Sequence, residues 1–396
     1  MDRITHVSIQ ASILVLGLVT QAEAQVRVLQ VPIHPVHGQM IPRAISGDGR
    51  VVVGYANRKA MVWVIDQGIE VCTSPLLGSN STASGISYDG SVVGGTTSAQ
   101  SQTGYRWNRT SGNVTLLRDV SGLRMNTVVS VSGNGQTMLG DVFTDRRRAA
   151  FWNSGGITRL PQTIEGNAAV AAVESSYDGS RIVGALDNGK SFVWNAEQGT
   201  FLVPTPVEII GAANLSMTAN GDAIFGTAVD GVPGAEVFTW NPDTGASLIP
   251  SLAGHDVLFN SVNDDGRLLV GKAFTIAQPR TNYAVIRTLG LESILLGDYL
   301  ALYGSTHANS DFTIATDVSD DGSVILGEGG IYPYWVVIVP PLARSDFNVN
   351  NFVDFTDLTD FLDCWEGHSS LPISSADLNR DGFTDFFDLI EFLDHF

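Results

Sequence analysis

The chain is poor in cysteine, in basic residues and in long apolar runs. Only two cysteines occur among 396 residues, Cys72 and Cys364. They cannot build a disulfide framework, and stand either as one bridge between distant segments or as two separate thiols. Lys and Arg total 22 against 41 Asp and Glu, and the net charge of −19 argues against nucleic acid as a partner. After the first two dozen residues no apolar run is long enough to cross a membrane as a helix. The short catalytic signatures are missing too: there is no nucleophile elbow, zinc-protease helix motif or phosphate loop. That excludes enzymes that carry their chemistry in one motif. It does not exclude a site assembled from scattered loop residues.

The first residues have the layout of a secretory signal peptide, residues 1–24. Arg3 and the amino terminus are weakly positive, Ala11 to Val19 is a short apolar stretch, and Ala22-Glu23-Ala24 is a small-residue cleavage site. The mature chain is expected to start at Gln25 and to be secreted, extracellular or at the cell surface.

What the chain has in quantity is glycine, 42 residues, placed in a repeat. ISGDGRVVVGYANRKAMVW, from Ile45 to Trp63, recurs seven times with variations. The copies carry Asp48-Gly49, Asp89-Gly90, Asn134-Gly135, Asp178-Gly179, Asn220-Gly221, Asp265-Gly266 and Asp321-Gly322. Such pairs suit a two-residue hairpin turn with positive φ at both residues. A second glycine follows at Gly54, Gly94, Gly140, Gly184, Gly226, Gly271 and Gly327, after a short apolar strand. An aromatic strand then ends near Trp63, Trp107, Trp152, Trp194, Trp240, Ile286 or Trp335. The turn glycines lie 41, 45, 44, 42, 45 and 56 residues apart. Four short strands at this period predict an all-β, seven-bladed β-propeller over residues 25–339.

The seventh copy has no fourth strand of its own, and Val26–Val31 is expected to fill that place and close the ring. Leu291 to Gly304, LESILLGDYLALYG, fits a short helix inserted before copy seven. Pro340-Pro341 opens a linker, residues 340–344. Two further clusters are candidates without a clear partner. His34-Pro35-Val36-His37 could hold a metal or form an ordinary loop. Arg146-Arg147-Arg148 is a solvated loop or an anion or acidic-glycan site.

Residues 345–396 form a second, acidic unit, with twelve Asp and Glu against the single Arg380. Two twelve-residue loops, DFNVNNFVDFTD and DLNRDGFTDFFD, stand 31 residues apart. Each offers oxygen side chains at positions 1, 3, 5, 9 and 12, the layout that wraps a hard cation such as calcium. In the first loop these are Asp346, Asn348, Asn350, Asp354 and Asp357, with the Phe352 carbonyl at position 7. In the second they are Asp377, Asn379, Asp381, Asp385 and Asp388, with the Phe383 carbonyl. Two calcium ions are expected. The final helix should bury Phe386, Leu389, Ile390 and Leu393 as one stripe, leaving Phe387, Phe392 and Phe396 as candidates for a partner-binding face.

The repeats resemble the extracellular HAF-type repeat family over roughly residues 27–340. This resemblance implies a secreted β protein and says little of a ligand. The tandem loops, with Asp at position 12 and no helix before either loop, resemble the dockerin domain, a small helical unit of two calcium loop-helix motifs. They look closest to the variant at the C-termini of secreted planctomycete proteins, through the Asp-Phe-Asn opening and Cys364-Trp365-Glu366-Gly367. The dockerin resemblance implies docking to a cohesin-like extracellular or cell-surface protein. Two functions follow as expectations: a secreted non-catalytic binding or scaffold protein, or a propeller enzyme acting on extracellular polysaccharide as hydrolase or lyase. Carboxylates converging at one mouth of the propeller channel would favour the second.

Overall fold

The computed structural model describes residues 26–339 except 100, 161–163, 205–210, 230–235, 243, 278 and 289–291, and then residues 355–366, 376 and 386–394. Seven four-stranded antiparallel sheets follow one another along the chain as the blades of a propeller. Blade one comprises Ile41–Ile45, Val51–Ala56, Lys59–Val64 and Gly68–Val71. In blade seven the strands Phe312–Val318, Val324–Gly330 and Tyr334–Ile338 are completed by Arg27–Gln30 from the other end of the chain. Arg27 pairs with Ile338 and Gln30 with Trp335, so the ring closes as expected.

The apolar runs of the second strands reflect burial on both faces, because each blade is sandwiched between two others. Seven hydrophobic clusters fill the seven seams. Val53, Val62, Ala83 and Tyr105 lie between blades one and two, and Val52, Met61, Leu326 and Val336 between blades seven and one. A fully buried Val, Leu or Met contributes about 1.5–3 kcal/mol of transfer free energy. The closing seam, where these four side chains are fully buried, is therefore filled as well as the others. Buried tryptophans pad the seams: Trp63, Trp107 and Trp240 at one register position, and Trp335 two residues earlier, opposite Gly327; in blade six Arg287, opposite Leu269, holds the tryptophan register.

The repeated turn is wider than a two-residue hairpin. The strands end at Ile45 and resume at Val51, and Gly49 (φ 69°) takes the left-handed conformation while Asp48 does not. The aspartate closes the loop with its side chain instead. Ser46 Oγ donates to Asp48 Oδ1 at 2.6 Å, and the same oxygen accepts from Arg50 N at 3.1 Å. Ser46 Oγ in turn accepts from Val51 N at 3.0 Å. This side-chain mimicry of a turn explains why Asp or Asn recurs where positive φ is not required. Blade six uses Asn263 in place of serine, and its Oδ1 accepts from Leu268 N at 2.8 Å.

The inserted helix is shorter than expected. It spans Leu296–Ala301 (α1), because Ile294–Leu295 pairs with Val285 and Ile286 as the fourth strand of blade six.

Two helices, Phe355–Trp365 (α2) and Phe386–Asp394 (α3), follow the propeller. Phe361 and Phe392 stack at 4.8 Å and are fully buried with Cys364 and Ala376. This corrects two expectations for α3. Phe392 is a core residue and presents no docking surface. Phe386 and Ile390 are exposed, at 62% and 39%. The buried face runs through Asp388, Leu389 and Phe392, one residue round the helix from the apolar stripe, because Asp388 points inward.

The second glycine of each repeat faces a β-bulge in the innermost strand. In blade three the register slips between Val128 and Ser130, and a methyl group on Gly140 would collide with the Thr127 carbonyl. Gly140→Ala should therefore cost about 1–3 kcal/mol, seen as a lower urea midpoint; an unchanged midpoint would contradict this role.

Candidate functional site

The bulges decide what faces the central channel. Each innermost strand carries one where its register slips, at Arg43, Ser84, Val129, Val173, Leu215, Asn260 and Thr316, and all seven residues line a cavity of about 270 Å³ on the propeller axis. A bulge re-aims the side chains around it. The residue after the bulge, two before the turn serine or its equivalent, is Ala44, Gly85, Ser130, Glu174, Ser216, Ser261 or Asp317. Two carboxylates thus enter the channel at equivalent positions, from blades four and seven.

Both are tied to the next blade. Asp317 Oδ2 accepts from Ile45 N of blade one at 2.9 Å. Its Oδ1 accepts from Ser261 Oγ of blade six at 2.8 Å and from Val318 N at 3.0 Å. Blade five repeats the device with a hydroxyl, Ser216 Oγ accepting from Val262 N at 3.2 Å. Glu174 is held by the Ser216 hydroxyl and the Met217 N–H of blade five. The surface of both carboxyls reaches the channel, although the blade walls enclose them. Desolvation pushes Glu174 up to about 8, the charge of Asp317 adds to the rise, and the two hydrogen bonds oppose it. Desolvation also raises Asp317, against the pull of Ile45 N, Ser261 and Val318 N. Glu174 is accordingly a protonated carboxyl at neutral pH.

One mouth of the channel is closed down by a ring of backbone hydrogen bonds. Asp48 N donates to Tyr88 O, Tyr88 N to Gly133 O, Asn134 N to Tyr177 O and Tyr177 N to Ala219 O. Ala219 N donates to Asp264 O, Asp264 N to Asp320 O, and Asp320 N to Gly47 O, completing the circle at 2.6–3.1 Å. Gly47 and Gly133 make room for the rings of Tyr88 and Tyr177, which meet edge to face at 5.9 Å. Asp264 and Asp320 stand side by side in this ring. Carboxylates therefore do converge on the channel, but the two inside it serve as acceptors for the fold.

The other predicted sites fall as follows. Asp357 and Asp388, position 12 of each proposed loop, lie in the first turns of α2 and α3 and are both fully buried. Asp346, Asn348, Asn350, Phe352, Asp354, Asp377, Asn379, Asp381, Phe383, Asp385 and Phe396 lie outside the described residues, as does the side chain of Phe387. The all-oxygen donor set and two buried position-12 carboxylates fit a hard cation. His34 and His37 lie 4.8 Å apart in a two-stranded hairpin, but His34 Nδ1 already accepts from Val36 N and His37 N. Among the described residues no three His, Cys, Asp or Glu side chains are grouped to hold a metal. Cys72 and Cys364 are separate buried thiols; burial raises Cys72 and pushes Cys364 up to about 12. Glu174 and Asp317 were missed in the sequence. Their signal was an acidic residue two before the turn serine, in just two of seven copies.

No family model matches the chain, and no curated protein matches it in sequence. Solved structures match in fold. An oligogalacturonate lyase from Vibrio parahaemolyticus has a TM-score of 0.55 at 11% identity, over 81% of this chain and 95% of its own. TolB from Acinetobacter baumannii has a TM-score of 0.42 at 12% identity, over 74% of this chain and 64% of its own, so this chain spans less than two thirds of it. A putative TolB from Agrobacterium tumefaciens has a TM-score of 0.41 at 15% identity, over 67% and 98%. At these identities the likeness is one of fold.

The raised Glu174 carboxyl has a pH signature. A carboxyl that titrates higher folded than unfolded contributes stability below its unfolded value, near 4.5, and loses it as pH rises to about 8. Glu174→Gln mimics the protonated form. The melting temperature of this variant relative to the parent should climb between about pH 5 and pH 8; a difference constant with pH would contradict the assignment.

Proposed function

We propose that this chain is a secreted, non-catalytic binding protein, a propeller displayed through a calcium-dependent C-terminal docking module on an extracellular or cell-surface protein. The observation that carries the non-catalytic part is the engagement of Asp317. Both its oxygens already accept hydrogen bonds from neighbouring blades, so releasing it for proton transfer would unlatch blade seven from blade one. Glu174, protonated and hydrogen-bonded to blade five, is latched likewise.

The docking part is supported by the paired loops, by Asp357 and Asp388 buried at the first turns of α2 and α3, and by the phenylalanine stack between those helices. Calcium would be held by Asp346, Asn348, Asn350, Asp354 and Asp357, and by Asp377, Asn379, Asp381, Asp385 and Asp388, with the Phe352 and Phe383 carbonyls. Bound there it would supply charge neutralisation for clustered carboxylates and order the two loops. Phe387 and Phe396 remain the residues proposed to meet a cohesin-like partner.

A second reading is favoured by one observation, the protonated Glu174 in a channel that water reaches. It makes the propeller a hydrolase or lyase of extracellular polysaccharide. The carboxylates in that channel are electrostatically unsuited to a polyanion such as the oligogalacturonate named for the Vibrio neighbour.

Calorimetry on the intact chain tests the docking reading. Two calcium ions should bind, the second loop more tightly because it carries four carboxylates and Gly382. Asp388→Ala should abolish the tighter site. No calcium heat, or a tight site that survives Asp388→Ala, would reject it. New reducing ends or unsaturated products from a polysaccharide panel would reject the non-catalytic reading.

A further inference from the structure

A second cavity, about 490 Å³, opens between blades two and three at the end of the channel away from the backbone ring. It lies among the starts of the innermost strands Ser81–Ile86 and Thr127–Val131, whereas the ring follows their ends. Its volume is within the range of about 300–1,000 Å³ usual for small-molecule sites. The wall is mixed where a propeller seam is normally apolar: beside Val128 and Val129 it carries Thr82, Thr96 and Thr127, the amides Asn80 and Gln102, and Arg147. Thr96 Oγ1 accepts from Val128 N at 3.2 Å, leaving its O–H as a donor. Thr127 donates to buried Asp141, leaving its lone pairs. Among the described residues the side-chain amides of Asn80 and Gln102 make no hydrogen bond within the chain. Donors and acceptors thus alternate around the cavity, as a polyhydroxylated ligand requires.

The rim adds a cation. Arg147 is held in place through its Nε, which donates to Asp141, and it remains 57% exposed. A planar fork of donors beside a wall of hydroxyls and amides matches a carboxylate on a sugar ring: the fork takes the carboxylate, and the wall takes the ring hydroxyls. The net charge of −19 does not forbid this. Charges farther than about 8 Å are screened at physiological salt, and the hairpin at the rim carries Arg146, Arg147 and Arg148 against Asp141 and Asp145.

We infer that the cavity between blades two and three is a binding site for a carboxylated sugar unit, with Arg147 as the carboxylate ligand and the amides and hydroxyls of the wall as the partners of the ring hydroxyls. This inference deepens the reading of the propeller as a binding module, and rests on it.

Titration calorimetry on the intact protein tests it with two probes, the disaccharide of β-1,4-linked glucuronate and cellobiose, its neutral counterpart. The glucuronate disaccharide should bind at least about tenfold more tightly, as expected for one charge-assisted pair. Arg147→Lys keeps a cation beside Asp141 and loses the fork; it should erase most of that difference. Gln102→Ala, on an exposed side chain, should weaken both sugars alike. Failure of the glucuronate probe to bind, equal binding of the two probes, or a preference unchanged in Arg147→Lys would each overturn the site. Equal displacement by inorganic sulfate alone would overturn the sugar class. Cleavage of the probe would leave the site standing and overturn the non-catalytic reading; absence of binding would leave the calcium docking untouched.

Discussion

Seven backbone hydrogen bonds, one from each blade to the next, hold the propeller at its axis. Each contributes about 0.5–1.5 kcal/mol net, so the circle sums to roughly 4–10 kcal/mol, comparable with the whole stability of many domains. A blade cannot swing out without breaking two of them and leaving N–H and carbonyl groups unpaired at a narrow mouth. The rest of the fold is arranged to keep this ring intact. The Ser-x-Asx-Gly turn presents its second or third residue at the right height, the glycine and bulge set the pitch of the innermost strand, and the N-terminal strand completes blade seven so that the last link is flanked by a full sheet.

The same construction limits what the channel can do. Polar side chains that reach the axis from blades four, five and seven serve as acceptors for the next blade, Glu174 for Met217 N, Ser216 for Val262 N and Asp317 for Ile45 N, and Ser261 of blade six donates to Asp317. A group that is a strut in this way is poorly placed to exchange protons with a substrate. At the opposite end the strands begin and the loops vary between blades. There the mixed wall between blades two and three has hydrogen-bonding capacity that the fold does not use.

The repeat was legible because its cause is local. Asx-Gly, the apolar strand and an aromatic strand recur in the same order in each copy, and Val26–Val31 could be matched to the missing strand of copy seven. The turn type was misread, since the aspartate works through its side chain and not through its backbone conformation. The second glycine could be seen but not explained: its reason is a collision with the carbonyl of a partner strand at Gly54, Gly140, Gly184, Gly271 and Gly327, and with packed side chains at Gly94 and Gly226, which only pairing reveals. Glu174 and Asp317 were hidden because their meaning lies in a bond to a neighbouring blade some forty residues on, or to the other end of the ring. The α3 face was misplaced by counting apolar side chains alone, where a buried carboxylate, Asp388, turned the helix.

Amide hydrogen exchange on the intact chain tests the ring most directly. The account predicts that Asp48, Tyr88, Asn134, Tyr177, Ala219, Asp264 and Asp320, the seven donors, share one protection level set by global unfolding. Rapid exchange at Asp320, whose bond to Gly47 O is the one that crosses the closing seam, with the other six still protected, would contradict it and show a propeller that opens at that seam.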